Sequence, residues 1–178
     1  MAVIYCVPLD GFPEVILWEI STNLERRLGI TTTNLPEMKL QSHSFDPERG
    51  QNNSTAILQG LQIVDHEQDD RVLGLTMVDL FIPIFTFVFG EAQLNGLASV
   101  VSGFRLRNEY YGLPRDSGLF HERLLKECLH ELGHTWGLHH CLNSSCVMRK
   151  STYVENIDLK EADFCPECVE ERKEAPNP

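Results

Sequence analysis

The stretch His130-Glu131-x-x-His134-x-x-Gly137-x-x-His140 constrains this chain more than any other part of it. Histidines four apart on a helix stand one turn apart on the same face. His130 and His134 can therefore share one zinc ion at about 2.0–2.1 Å. Glu131 lies about 100° further round the helix from His130. It is close enough to hold a metal-bound water and too far round to ligate the metal. Two histidines do not complete a catalytic site, which has three protein ligands and one open position. Gly137 supplies the means for a third. A glycine at that offset takes positive φ, ends the helix and reverses the chain, so that His140 reaches the metal from the other side. His139 is the neighbouring competitor. The offset after Gly137 favours His140 and leaves His139 as a surface or cleft residue. A bare H-E-x-x-H also occurs as a solvated helix segment; Gly137 and His140 at fixed offsets set this one apart. The pattern implies a metal-dependent hydrolytic centre with Glu131 as general base.

Directly after His140 the cysteines begin. Of six in the chain, Cys6 and Cys128 stand alone, while Cys141, Cys146, Cys165 and Cys168 form two close pairs in the last quarter. Four thiolates so spaced match a closed, tetrahedral structural zinc site. Such a site would staple a small segment with little core of its own. The competing reading is two disulfides, which a reducing compartment disfavours. A redox role for Cys165-Pro-Glu-Cys168 lacks the βαβ context such motifs need. Cys6 and Cys128 read as small buried hydrophobes.

The rest of the chain reads as alternating strands and helices. Residues 1–7 are short, apolar and β-branched, a strand. Residues 12–28 carry apolar side chains at helical spacing, and Gly29 ends the run. A second strand is expected over 35–40, a loop over 42–53 and a helix over 54–65. Three strands follow over 71–78, 85–92 and 97–106, with Asn95-Gly96 marking a hairpin between the last two. After a loop over 108–116, the clearest helix runs over 117–136, capped by Asp116 or Ser117. A last helix spans about 165–173, and 174–178 is expected to fray. Glu91 and Gln93 are candidates to line a cleft, although half the residues of an alternating strand face water. Length allows one domain, 1–178, divided at Gly137 into an upper αβ part (1–137) and a small lower part (138–178).

With 42% apolar and 23% charged residues the composition is that of a globular domain, so the metal motifs belong to a folded protein. The net charge of −11 repels phosphate backbones, and no lysine–arginine cluster offsets it. No nucleic-acid partner is expected, which also weakens a nucleic-acid role for the cysteine knuckle. The most apolar stretch, 80–89, is too short to span a membrane and contains Pro83. No positively charged leader precedes the first strand. A cytoplasmic monomer without membrane or nucleic-acid partners is expected.

The histidine motif followed by Met148 resembles the metzincin clan of metallopeptidases. Met148 fits the methionine of the clan's Met-turn, which lies under the metal and is not a ligand. Clan members with a tyrosine two residues after this methionine use it near the substrate. Here that position is Lys150, so the role is not carried to Tyr153. Continued by Cys141, Cys146-Val-Met148 and the later C-x-x-C, the pattern resembles the archaemetzincins closely. The likeness extends through Asp79-Leu-Phe-Ile-Pro83 and Phe87-Val-Phe-Gly-Glu-Ala-Gln93, so it covers most of the chain.

This resemblance implies an α+β, zincin-like fold: a mixed, twisted sheet with backing helices, an active-site helix beneath it and a small zinc-stapled C-terminal subdomain. It implies two zinc ions, one catalytic on His130, His134 and His140, one structural on Cys141, Cys146, Cys165 and Cys168. The implied activity is that of a zinc metallopeptidase, with Glu131 as general base on zinc-bound water. Strand 85–92 would form the sheet edge along the cleft and take an extended peptide through main-chain hydrogen bonds. The rival from another class is a zinc-binding interaction protein that keeps the site with little or no turnover.

Overall fold

The structure is a computed structural model that describes residues 2–174. In chain order the elements are β1 (Val3–Pro8), α1 (Glu14–Leu28), β2 (Thr31–Asn34), β3 (Phe45–Asp46), β4 (Gln51–Asn53), α2 (Ser54–Leu61), β5 (Arg71–Thr76), β6 (Leu80–Phe81), β7 (Gly90–Ala92), β8 (Ala98–Ser102), α3 (Ser117–Thr135), α4 (Val154–Asp158) and α5 (Pro166–Glu174). The main sheet has the order β2-β1-β5-β8-β7. The first four strands are parallel to their neighbours, and β7 runs antiparallel to β8 as the edge. A second sheet, β3-β4-β6, is built of two- and three-residue strands. This is the mixed α+β architecture expected.

The central strands β5 and β8 are buried along their whole length, as befits a parallel sheet covered on both faces. One face packs against α1 and α3 through Leu73, Leu75, Val101, Leu24, Cys128 and Leu129. The other packs against α2 through Val72, Val100, Ile57 and Leu61. Cys6 and Cys128 lie in the first core, fully buried and free. Asp116 caps α3 by accepting from the Leu119 N–H at 2.9 Å.

Several expected boundaries move. The second strand is Thr31–Asn34, not 35–40. Its threonines are β-branched and suit an exposed edge, whereas Pro36 interrupts 35–40, where Met38 makes only an isolated bridge to Leu9. The loop 42–53 contains β3 and β4, too short to show periodicity. Helix α2 stops at Leu61, and the strand over 97–106 stops at Ser102 before a 3₁₀ turn, Phe104–Leu106. A second such turn, Asn108–Tyr111, lies in the loop 108–116. Of 85–92 only Gly90–Ala92 pairs as a strand. The hairpin is present, with Asn95 at φ 51°, but the connection spans 93–97. Helix α5 extends to Glu174, so the expected fraying does not include that residue, and the rest of that expectation, 175–178, lies outside the described residues.

Two ion pairs one turn apart on α3 clamp the C-terminal segment beneath the helix. Arg123 donates to both Asp158 oxygens at 2.6 and 2.7 Å. Lys160, its side chain fully buried, sits 3.0 Å from Glu127, which is also buried. The ammonium donates in addition to the Arg149 carbonyl at 3.3 Å. Removing one partner of a buried pair strands the other charge. Lys160→Met should therefore cost roughly 3–5 kcal/mol of stability, while adding Glu127→Leu should recover most of it. Chemical denaturation of the two variants measures the difference.

Candidate metal centre and active-site cleft

The last turns of α3 carry His130, Glu131 and His134 beneath the edge strand β7. The helix ends in a full Schellman turn: Leu138 N–H donates to Gly133 O at 3.0 Å and Gly137 N–H to His134 O at 2.9 Å. Gly137 holds φ +86°, a left-handed conformation that a side chain strains. The hairpin turn adds to this end of the helix, because Asn95 N–H also donates to His134 O at 2.9 Å. The chain reverses, and His140 returns against the helix.

The ligand-capable atoms of His130, His134 and His140 all lie within 4.8 Å of one another. Nδ1 of His130 stands 2.8 Å from Val147 O, and Nδ1 of His134 stands 2.7 Å from Leu138 O. A carbonyl only accepts, so both Nδ1 atoms carry the proton and both Nε2 atoms present lone pairs. These two Nε2 atoms are 3.2 Å apart. A tetrahedral zinc ion with nitrogens at 2.0–2.1 Å would separate them by about 3.3–3.4 Å. Spacing, tautomer and donor type thus fit a single zinc ion. Burial, with Lys160 adding to it, holds the His130 pKa well below its ordinary value. Burial lowers His134 as well, and brings His140 to about 4, helped by His134 and Lys150. Burial thus favours the neutral imidazole, the form that binds metal. His139 is exposed and belongs to neither the cluster nor the cleft lining.

Glu131 is 6% exposed and lines the cleft beside the cluster. Burial pushes its carboxyl well above the usual carboxylate range; Glu127 adds to the rise and Lys160 opposes it. The approach of β7 is close. A Cβ on Gly90 would stand 2.7 Å from Glu131 Cγ and 2.7 Å from Val100 O. No side chain fits there unless the carboxylate or the strand moves. Gly90→Ala should therefore displace Glu131, lowering kcat at least tenfold while leaving zinc content unchanged; paired kinetics and metal analysis check both.

The cleft is a cavity of about 320 Å³. Its upper wall is Ile82 and 85–92, its floor Glu127, His130, Glu131 and His134, and its lower wall His140 and 150–152. Glu91 lines it but is engaged: the hydroxyls of Ser54 and Thr55 both donate to its carboxylate. Gln93 braces the hairpin instead, accepting from Ala98 N–H at 3.1 Å. The upper rim is pinned from behind. Arg49 donates to Phe85 O and Gln51 to Thr86 O, and Arg105, paired with both Asp79 oxygens at 2.6 Å, stacks 4.2 Å from the Phe87 ring centre.

Beneath the histidines, Arg149 N–H closes a turn on Cys146 O at 3.0 Å, and the wholly buried Met148 packs against Gly133. The same segment bears Cys141 and Cys146, and Cys165 and Cys168 meet them from the start of α5. The sulfurs of Cys141, Cys146, Cys165 and Cys168 also lie within 4.8 Å of one another, with Cys141–Cys165 at 3.7 Å and Cys146–Cys168 at 3.8 Å. A disulfide needs about 2.05 Å. Four thiolates at 2.3 Å around tetrahedral zinc stand about 3.8 Å apart, so the set fits a closed Cys₄ site. Backbone N–H groups of Asn143 and Cys165 point at Cys141 and Cys146, as outer-shell donors do.

Residues that spacing alone did not single out are Lys160, Lys150 and the aromatic rim at Phe85 and Phe87. Glu127 was within reach, because it lies one turn before Glu131 on the same helix face.

The family described as peptidase family M54 matches residues 14–174. The archaemetzincin of Methanocaldococcus jannaschii is 43% identical over 135 residues, 76% of this chain and 73% of its own length. That of Pyrococcus furiosus is 34% identical over 177 residues, 96% and 92% of the two chains. Among solved structures, the archaemetzincin of Methanopyrus kandleri superposes with TM-score 0.85 at 36% identity, covering 96% of this chain and 93% of that one. The archaemetzincin of Archaeoglobus fulgidus, complexed with malonate, gives TM-score 0.83 at 35% identity over 95% and 99%.

Proposed function

Since the chain belongs to peptidase family M54, the archaemetzincins, and is a zinc metallopeptidase, we propose that His130, His134 and His140 hold its catalytic zinc and that Glu131 is the general base. The observation that carries this reading is the pair of Nε2 lone pairs 3.2 Å apart, each aimed by an Nδ1–H bond to a carbonyl. Zinc held there supplies Lewis acidity toward a carbonyl and toward water. Glu131 takes the proton of the attacking water and passes it to the leaving amine. The edge of β7, unpaired on its cleft side, accepts the substrate backbone as an added strand.

We assign a second, structural zinc to Cys141, Cys146, Cys165 and Cys168, giving two per chain. Its role is to hold residues 138–178 as a lower subdomain of one catalytic domain, opposite an upper part ending at Gly137. Among the described residues no helix is long and apolar enough to cross a membrane, and a cytoplasmic monomer acting on peptides is the simplest form consistent with the acidic surface.

Glu131→Ala should keep both zinc ions and lose peptide hydrolysis by at least a hundredfold, the scale of general-base catalysis. Elemental analysis together with cleavage of a peptide library tests this, and wild-type rates in the variant would refute the assignment. Cys168→Ser should lower the metal content to one zinc or fewer and also weaken the histidine site, because Cys141 adjoins His140.

A further inference from the structure

Among the described residues that line the cleft, Lys150 is the one lysine or arginine. It is exposed, and no acidic side chain stands within ion-pair distance of it among the described residues. Two further charges are engaged elsewhere. Lys160 is sealed against Glu127, and Glu91 is held by Ser54 and Thr55. The Lys150 ammonium stands 5.8 Å from the centre of the Phe85 ring. Phe85 belongs to the upper rim and Lys150 to the lower wall, so the two meet across the mouth of the cleft. The neighbouring wall is apolar, with Phe87, Val88 and Phe89.

A free cation against such a wall acts at a lower effective dielectric than an exposed lysine on an open surface, and its short-range attraction is correspondingly stronger. The overall charge of −11 does not cancel this preference. Remote surface charges are screened over about 8 Å at physiological salt, whereas a contact pair is not. Nor does the position suit an oxyanion donor, which must be rigidly preorganised. Lys150 is a long, exposed side chain, and among the described residues no hydrogen bond fixes its end.

We propose that Lys150 is a specificity-determining residue that pairs with a carboxylate of the bound peptide, either an acidic side chain or a free C-terminus. The carboxylate sits at the cleft mouth beside the Phe85 ring while the scissile bond lies over the histidine cluster. This rests on the peptidase site proposed above.

The test is calorimetric binding to the zinc-loaded full chain carrying Glu131→Ala, which prevents cleavage. Three octapeptides of otherwise identical sequence serve as probes. One has a central Glu and an amidated C-terminus, one has Gln there and an amidated C-terminus, and one has Gln and a free C-terminus. At least one carboxylate-bearing peptide should bind about tenfold tighter than the neutral one, as a charge-assisted pair affords. Which of them does so identifies the source of the carboxylate. Adding Lys150→Met should abolish the preference, Lys150→Glu should reverse it, and added salt should shrink it. Equal binding of the three peptides, binding of none, or an undiminished preference in Lys150→Glu overturns the inference. Hydrolysis by the chain with Glu131 intact is measured separately. Absence of cleavage with the binding preference present counts against the catalytic reading alone.

Discussion

Two hydrogen bonds from the active-site helix to the segment beyond it govern this structure. His130 and His134 each donate from Nδ1 to a carbonyl, Val147 and Leu138 respectively. An imidazole whose Nδ1 is committed in this way offers Nε2 in one fixed direction. The helix alone sets where the two rings begin; the carbonyls set where they point. Both carbonyls exist in the right place only because the chain turns back after Gly137 and then closes the turn over Cys146 to Arg149. Metal-binding geometry on α3 thus depends on residues 138–148, a stretch with no helix or strand of its own.

Covalently unsupported, a short segment of that kind would be mobile. Several contacts hold it to α3 instead. Met148 and Val147 are wholly buried beneath the helix. Arg123 and Glu127 reach down to Asp158 and Lys160. The four clustered sulfurs, set at zinc-like spacing, tie 141–146 to the start of α5. The ionic contacts recur along one stripe of the helix at residues 123 and 127, and the same stripe continues to His130 and Glu131. A buried ion pair contributes little net stability when formed and costs several kcal/mol when one partner is lost. Its effect here is to fix register between helix and segment.

The upper wall meets the same helix from the opposite side. Strand β7 approaches Glu131 so closely that Gly90 has no room for a Cβ. That contact places an unpaired strand edge beside the carboxyl. Edge strands invite pairing with a further extended chain, and here the invitation lies beside Glu131 and the histidine cluster. The rim above is held by Arg49, Gln51 and Arg105 from behind, with Phe85 and Phe87 lining the cleft.

How much of this could be read from the residues varies with the distance over which each contact acts. The motif on α3, the Schellman glycine, the preference for His140 over His139 and the two cysteine pairs all follow from local spacing, because a helix or turn converts an offset of three or four residues into a direction. The strand over 35–40 misled because a polar run of threonines at 31–33, the actual edge strand, shows no apolar alternation, and 85–92 misled because its apolar residues line a cleft rim and not a sheet. Lys160 beside Glu127, Lys150 opposite Phe85 and Gly90 against Glu131 are pairings across 33, 65 and 41 positions (from their numbering). No periodicity encodes them. By itself the sequence determined which groups could bind metal and move a proton. Only the tertiary structure decided which strand edge lies beside Glu131, which cation stays free in the cleft and which is buried, because those depend on how separate elements pack and exclude water.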